Sequence, residues 1–347
     1  MSTFSVTLER IAAIWPHPAA DRLELARVES NTYQFCVRKG EYKVGDEVVY
    51  IPIDAVLPDA VIDKLGVRNF LAGKEQNRVH TAELRGQPSQ GLVCRPGSLL
   101  ESWAGHADLT GLLGVTKYDP PDYEIPGGLL TALPTGLGVY DIENCERHAA
   151  VVELLMNRPV QVTEKLEGVS VAFGRTAGGD LFVTQRTAAV KEKDGETHPL
   201  WEYARAKRWH SCLAGLAEGV ADMAAVRGEY IGPGCGRGNY YDLKAPELRV
   251  FDIKVGTRYL PVQQVTGRVL TSERVPVLAE GVTLREWLDS RSLPEASNGM
   301  SVLNPNRLRE GIVIKPMVEG LVDFGVGDPN RRLILKQRSP KYLAKHG

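Results

Sequence analysis

The chain has 347 residues, 43% apolar and 24% charged, which is the make-up of an ordinary globular protein of two or three domains. A formal net charge of −1 excludes a protein coated in positive charge, although local basic clusters suffice to bind phosphate. No run approaches the roughly 18 uninterrupted apolar residues of a membrane span. Glu9 and Arg10 stand where a signal peptide needs an apolar stretch, so a cytoplasmic protein without a membrane partner is expected. Cys36, Cys94, Cys145, Cys212 and Cys235 are scattered with no C-x-x-C spacing, which argues against both structural zinc and a disulfide framework.

The segments FSVTLERIAAIW, ELARVES, YQFCVRKG, DEVVYIPIDAVLP and QGLVCRPG mix alternating and continuous apolar positions typical of strands. Lys39-Gly40 and Val44-Gly45-Asp46 supply turn chemistry between them. This pattern predicts a small β-barrel over residues 1–100, and the OB-fold is a common barrel of that size that carries oligonucleotides. His17 and Asp21, in the string HPAAD, read as a turn rather than a catalytic pair. Residues 101–150 are rich in Pro and Gly and read as a linker. A helix is predicted from Asn144 to Asn157. From Val160 onward, strands (VQVTEKLEG, VSVAFGR, LFVTQR, VRGEYIG, ELRVFDIKV, GIVIKP, RLILKQR) alternate with helical segments over Leu200–Leu216 and Leu260–Glu273. The expected class is therefore α+β, with mostly antiparallel strands in a second domain over residues 151–347. Basic clusters at Arg307–Arg309, Arg331–Arg332 and Lys336–Arg338 each read, taken alone, as a solvated face.

Chemistry-bearing residues recur at the ends of these strands. Lys165-Leu166-Glu167-Gly168 is weak by itself, since such a tetrapeptide arises by chance in roughly one chain in six of this length. It is followed in order by Arg186, by Arg227-Gly228-Glu229-Tyr230, by Phe251-Asp252-Ile253, by Glu310-Gly311-Ile312-Val313-Ile314-Lys315 and by Leu335-Lys336-Gln337-Arg338. If the strands pack as two sheets, these charged ends converge on one cleft. An ordered series of this kind is not the product of chance.

The series resembles the covalent nucleotidyltransferase superfamily of ATP-dependent DNA and RNA ligases and mRNA capping enzymes. The strings HPAADRLELARV, KVGDEVVYIPIDAVLP and AELRGQPSQGLV resemble OB modules appended to some tRNA synthetases and tRNA-binding proteins. An OB-like module ahead of the series looks most like the Deinococcus-type nick-sealing RNA ligases. DNA ligases and capping enzymes place their OB domain after the last motif, and here only nine residues follow Arg338. A DNA ligase, an mRNA guanylyltransferase and a non-catalytic tRNA-binding protein are the alternatives.

The resemblance implies an RNA ligase that uses ATP and Mg²⁺ or Mn²⁺ and acts as a monomer on RNA, or an RNA-containing duplex, with a 3′-OH/5′-phosphate break. Lys165 is implied as the nucleophile that takes up AMP. A lysine amine attacks phosphorus only when unprotonated, and free lysine titrates near about 10.4, so the site has to supply cations or desolvation. Glu167 is implied to orient the lysine or its metal, and Arg186 to contact ribose or the incoming 5′-phosphate. Glu229 would accept from the ribose hydroxyls. Phe251 would stack on adenine, or else be a core phenylalanine. Glu310 is the implied metal carboxylate. Lys336 would hold the α-phosphate, with Lys315 and Arg338 as helpers. Arg338 stands where relatives carry a lysine, and the two are not equivalent. Glu164 would read the adenine amine, or else be an exposed strand residue.

Overall fold

A computed structural model describes residues 4–102, 105, 107–118, 125–207, 223–236, 238–325 and 330–346. The N-terminal unit is an antiparallel sheet in the order Phe35–Arg38, Leu23–Val28, Thr7–Pro16, Glu47–Ile51, Leu92–Cys94. The long Thr7–Pro16 strand serves both halves. Its first residues pair with Glu47–Ile51 and its last with Leu23–Val28, with a register shift between Ile11 and Ala13. Such a bulge bends a strand and lets a small sheet curl into a barrel. Two apolar clusters fill it, one around Ile11, Phe35 and Tyr50, the other around Val49, Leu57 and Leu109. These match the expected OB-like barrel.

A hairpin of Thr81–Leu84 and Gln87–Gln90 was not among the expected strands. Its turn places Arg85 and Gly86 both at positive φ, 49° and 81°, the conformation that tight hairpins need. His17 Nε2 lies 3.0 Å from the Leu84 carbonyl oxygen, and its Nδ1 accepts the Ala19 amide, so this histidine does fix a turn.

The larger unit has two sheets. One runs Leu129–Thr131, Ala189–Lys191, Leu181–Thr184, Val169–Arg175, Ala224–Ile231, Glu247–Val255, Arg258–Tyr259, antiparallel throughout. The other runs Glu143–Asn144, Leu335–Arg338, Gly311–Pro316, Pro159–Lys165, Val277–Thr283, with a parallel pairing only at its first pair. Helix Pro199–Ala206 packs Leu200 and Ala204 on the first sheet, and helix Ala149–Met156 packs Val151 and Leu155 on the second. The helix expected over Leu200–Leu216 is seen as Pro199–Ala206, and the rest of that expectation, from residue 208, lies outside the described residues. The one expected over Leu260–Glu273 is two separate turns, Val262–Thr266 and Thr271–Glu273. No described helix is long and apolar enough to cross a membrane.

The stretch expected to be a linker is built into the two units where it is described: residues 107–118 pack on the N-terminal unit through Leu109, Leu113 and Val115 and the pairing of Thr116–Lys117 with Ala55–Val56, and residues 125–150 belong to the larger one. Leu129–Thr131 forms an edge strand, Ile125 joins the core, and Leu137 is buried. Arg227 Nη2 donates to the carbonyl oxygens of Leu137 and Gly138 at 2.6 Å each, and Lys254 Nζ donates to that of Gly136. Pro and Gly mark the turns here, but Ile125 and Leu137 supply apolar anchors, and two buried cations hold the carbonyl groups. The expected solvated cluster Arg331–Arg332 is likewise internal. Arg331 pairs with Glu143 at 2.7 Å, and Arg332 with Asp252 at 3.0 Å and Glu319 at 2.6 Å.

Gly311 sits in the middle of the second sheet, opposite both Lys165 and Arg338. A Cβ there would lie 2.3 Å from the Gln337 carbonyl oxygen and 2.9 Å from the Arg338 Cα, neither of which is a movable side-chain tip. Gly311→Ala is therefore expected to destabilise the protein by about 1–3 kcal/mol through overpacking. Urea unfolding of the two proteins measures this, and an unchanged midpoint would show that the two strands can separate freely.

Candidate active site

A cleft of about 680 Å³ opens between the two sheets, within the size range of small-molecule sites. All ten residues singled out in the sequence line it: Glu164, Lys165, Glu167, Arg186, Glu229, Phe251, Glu310, Lys315, Lys336 and Arg338.

Strand register explains the convergence. Lys165 ends the Pro159–Lys165 strand opposite Gly311, which sets Glu310 beside it. Lys165 Nζ is 2.7 Å from Glu310 Oε1, and Arg338 Nε approaches the same oxygen at 3.6 Å. Lys336 pairs with Val313, two positions along the same strand as Arg338. Burial, together with Lys165 and Arg338, brings the Lys336 amine down to about 8, against the opposing pull of Asp141 and Glu310.

Glu229 faces this group from the other sheet. Its strand is paired through Ser170 to the strand that follows the Lys165 turn. Burial pushes its carboxyl up to about 8, opposed by Lys165 and reinforced by Glu310 and Glu167. Between them, Lys165-Leu166-Glu167-Gly168 makes a close turn. A Cβ on Gly168 would lie 2.6 Å from the Tyr230 carbonyl oxygen and 2.8 Å from Ile231 Cγ2, so the motif requires glycine to bring the two strands together. The Glu167 amide donates to Tyr241 Oη at 2.7 Å, and Tyr342 Oη donates to the Glu167 carboxylate.

Lys315 is held by the protein itself. Its amine, in a buried side chain, donates to the Phe251 carbonyl oxygen at 2.8 Å and to Asp252 Oδ1 at 2.9 Å. Burial tends to raise the Asp252 carboxyl, but Lys315 and Arg332 overcome this and hold it at about 2. The Phe251 ring lines the cleft with Tyr140 packed against it, ring centroids 4.7 Å apart. Arg186 stands exposed on the rim, beyond the Leu181–Thr184 strand.

Glu164 is buried, not exposed. Its Oε2 accepts the Val302 amide at 2.8 Å, while Oε1 is buried and finds no hydrogen-bond donor among the described residues. Burial raises its pKa.

Other cleft residues carried no motif. Asp54, Lys117 and Tyr118 come from the N-terminal unit, and Tyr140, Asp141, Asn144 and Arg147 from the segment leading into the larger unit. Nothing in their local sequence distinguishes them. Only the docking of the two units brings the first three to the cleft.

Among the described residues no group of three or more His, Cys, Asp or Glu side chains is arranged to hold a metal by itself. Mg²⁺-like ions commonly keep waters and take one or two protein carboxylates together with substrate phosphates. The Glu310 carboxylate, buried but open to the cleft, suits that mode.

The raised Glu229 carboxyl has a consequence for stability. Its unfolded value is near 4.5, so between that pH and about 8 the folded protein retains a proton that the unfolded chain releases, and stability falls as pH rises. Glu229→Gln removes this penalty. The variant is expected to be more stable than the parent at pH 8 and nearly equal to it at pH 5. Urea melts at both pH values test this, and an equal difference at the two would exclude a titrating Glu229.

Comparison with known proteins follows the same division of the chain. Residues 5–96 match an OB-fold domain. Solved structures of an RNA ligase from Naegleria gruberi align with almost the whole chain. A lysine-to-alanine variant with ATP and Mn is 28% identical at a TM-score of 0.75, covering 98% of each chain. A glutamate-to-alanine variant with AMP and Mn is 28% identical at 0.75, covering 99% of each. The same ligase with PPi is 27% identical at 0.73, again covering 99% of each. A comparison with curated protein sequences gave no match. Residues 158–336, more than half of the chain and the part from the Lys165 motif to Lys336, match the RNA ligase family, and the chain belongs to that family.

Proposed function

We propose that this protein is an ATP-dependent RNA ligase that seals 3′-OH/5′-phosphate breaks, nicks in duplexes among them, through an AMP carried on Lys165. The observation that carries this reading is the row formed by Lys165, Glu310, Lys336 and Arg338, one nucleophilic amine flanked by cations and one buried carboxylate. The Naegleria relative's structures with ATP, AMP and PPi add support, because these are the substrate, the transferred group and the leaving group of the proposed first step.

In that step Lys165 Nζ forms a bond to the α-phosphorus of ATP while the bond from that phosphorus to the bridging oxygen breaks, and pyrophosphate leaves. An oxygen of a 5′-phosphate end then attacks the same phosphorus, releases the lysine amine and leaves a 5′–5′ pyrophosphate. A 3′-hydroxyl attacks the phosphorus of the original 5′-phosphate, loses its proton and expels AMP. All three steps are phosphoryl transfers, in which positioning and charge neutralisation carry most of the catalysis.

Lys336 and Arg338 would bind the α-phosphate, and Arg186 the ribose or the incoming 5′-phosphate. Glu229, protonated near neutral pH, would meet the ribose hydroxyls, and Phe251 the adenine ring. The unpartnered Glu164 Oε1 fits a donor such as the adenine amine, since a buried acceptor without a partner carries a desolvation cost. Lys315, already paired with Asp252, would shape the wall rather than reach the phosphate. A Mg²⁺ or Mn²⁺ ion held at Glu310 would neutralise phosphate charge. Residues 1–100 would hold the nucleic acid, mainly through phosphates and hence in a salt-sensitive way. The part from 101 to 150 would connect them to a catalytic domain over residues 151–347.

Incubation with ATP and a divalent metal is expected to add one AMP to the peptide containing Lys165, seen by mass spectrometry. Lys165→Ala abolishes this while leaving the melting temperature nearly unchanged. Labelling by GTP in place of ATP would turn the assignment toward a guanylyltransferase, and absence of any nucleotide adduct would remove the enzymatic reading. Glu310→Ala is expected to lose sealing with a smaller effect on nucleic-acid binding. Nicked duplexes with ribose or deoxyribose at the 3′-OH side separate RNA from DNA sealing, and faster sealing of deoxyribose would turn the assignment toward a DNA ligase.

A further inference from the structure

The last helix, Pro340–His346, begins immediately after the strand that bears Lys336 and Arg338. Its start is firmly built. Ser339 Oγ accepts the Tyr342 amide at 3.1 Å, as an N-cap does, and Pro340 occupies the first turn. Asn298 Oδ1 accepts from both the Ser339 hydroxyl, at 2.8 Å, and the Lys341 amide, at 3.2 Å. From this fixed turn the side chain of Tyr342, only 1% exposed, reaches back to the Lys165 turn and donates its hydroxyl to Glu167 Oε2.

The opposite side of Glu167 is held as well, because its amide donates to Tyr241 Oη. The Tyr240 ring lies between the two clamping tyrosines, 5.2 Å from Tyr241 and 6.0 Å from Tyr342, and its hydroxyl is tied to the Leu308 carbonyl oxygen at 2.7 Å. Packing alone would be satisfied by phenylalanine at position 342. The hydroxyl has a specific use, since a carboxylate acceptor makes a stronger hydrogen bond than a neutral one.

We propose that Tyr342 is a positioning residue. Its hydroxyl fixes the Glu167 carboxylate, and with it the turn that aims Lys165, in the orientation that lysine adenylylation uses. The hydroxyl takes no part in bond making. The inference rests on the ligase reading above and adds the C-terminal helix to the apparatus that orients the nucleophile.

Single-turnover adenylylation of the full chain tests it, with wild type, Tyr342→Phe, Glu167→Ala and the double variant compared. Tyr342→Phe is expected to slow the step at saturating ATP by about tenfold or more, the scale of a lost hydrogen bond to a charged group. KM for ATP should change by less than about threefold, as befits a group that does not touch the nucleotide. In the Glu167→Ala background the same substitution should have almost no further effect. Incorporation of 4-aminophenylalanine at position 342, which keeps a donor of similar size, should restore most of the rate and covers the case in which phenylalanine unsettles the fold. An unchanged rate in Tyr342→Phe, an equal loss in both backgrounds, or no recovery with the amino analogue would each overturn the positioning role. Absence of AMP uptake by the wild type would instead remove the ligase reading on which it rests.

Discussion

The cleft exists because a buried carboxylate joins the two sheets that form it. Asp252 has no exposed surface, and an unpaired charge so placed costs several kcal/mol. Its partners come from separate parts of the chain. Lys315 lies on a strand of the second sheet, Arg332 on a short strand near the C-terminus, and Tyr140 on the segment that enters the larger unit. Satisfying one charge therefore fixes the approach of both sheets and of the entering segment. Lys315 also donates to the Phe251 carbonyl oxygen, so the same contact sets the backbone of the aromatic that lines the cleft. Arg227 and Lys254 continue this internal layer by holding the carbonyl groups at residues 136–138.

On that floor the functional groups stand closer than isolated charges prefer. Glu229 is raised and Lys336 lowered, both to about 8, so each is driven toward its neutral form in the ligand-free molecule. Burial leads in both cases, and neighbouring like charges add to it. A compact domain has only about 5–15 kcal/mol of net stability, so concentrating such groups is a real cost. It is tolerated because the Asp252 layer and the apolar cores beneath each sheet hold the frame regardless. Groups driven toward their neutral forms and gathered in one cleft mark it as a functional-site candidate. Asp252 provides the contrast, because its partners lower its pKa and favour the charge.

Much of this was legible in the sequence because it is local or periodic. The strands were visible in their apolar patterns, and the ten cleft residues were visible because each belongs to a motif on or beside a strand. Side-chain commitments were less visible. The resemblance implies Lys315 as a phosphate helper, but nothing in the sequence announces that its amine also pairs with Asp252, a partner 63 residues away. Arg332 reads as a solvated charge, yet it lies inside. The segment around 125–144 reads as a linker because Pro and Gly dominate local propensity, whereas Ile125, Leu137 and Tyr140, which dock it, act through tertiary contacts. Tyr342 sits in a short terminal helix with nothing in its spacing to point toward Glu167. Asp54, Lys117 and Tyr118 belong to another folding unit altogether, and no single-chain pattern predicts which face of one unit meets another.

That docked face changes how the N-terminal unit should be understood. Hydrogen bonds join it to the larger unit at Asn144 and Glu146. The Thr32 amide donates to the Glu146 carbonyl oxygen at 2.9 Å, Asn144 Nδ2 donates to Tyr33 Oη at 3.2 Å, and Gln90 Nε2 reaches the Glu146 carboxyl at 3.5 Å. Burial raises that carboxyl to about 7, with Gln337 and Gln90 opposing the shift. Residues 143–144 are the strand that pairs in parallel with Leu335–Arg338, where Asn144 lies opposite Lys336. The Thr81–Leu84 hairpin meanwhile packs against the helix that carries Tyr342. The barrel thus touches both strands of support for the Lys165 region, the one through Lys336 and the one through Glu167, besides lending Asp54, Lys117 and Tyr118 to the cleft wall. A module that only tethered nucleic acid would need none of these contacts, so the geometry makes it a structural part of the cleft.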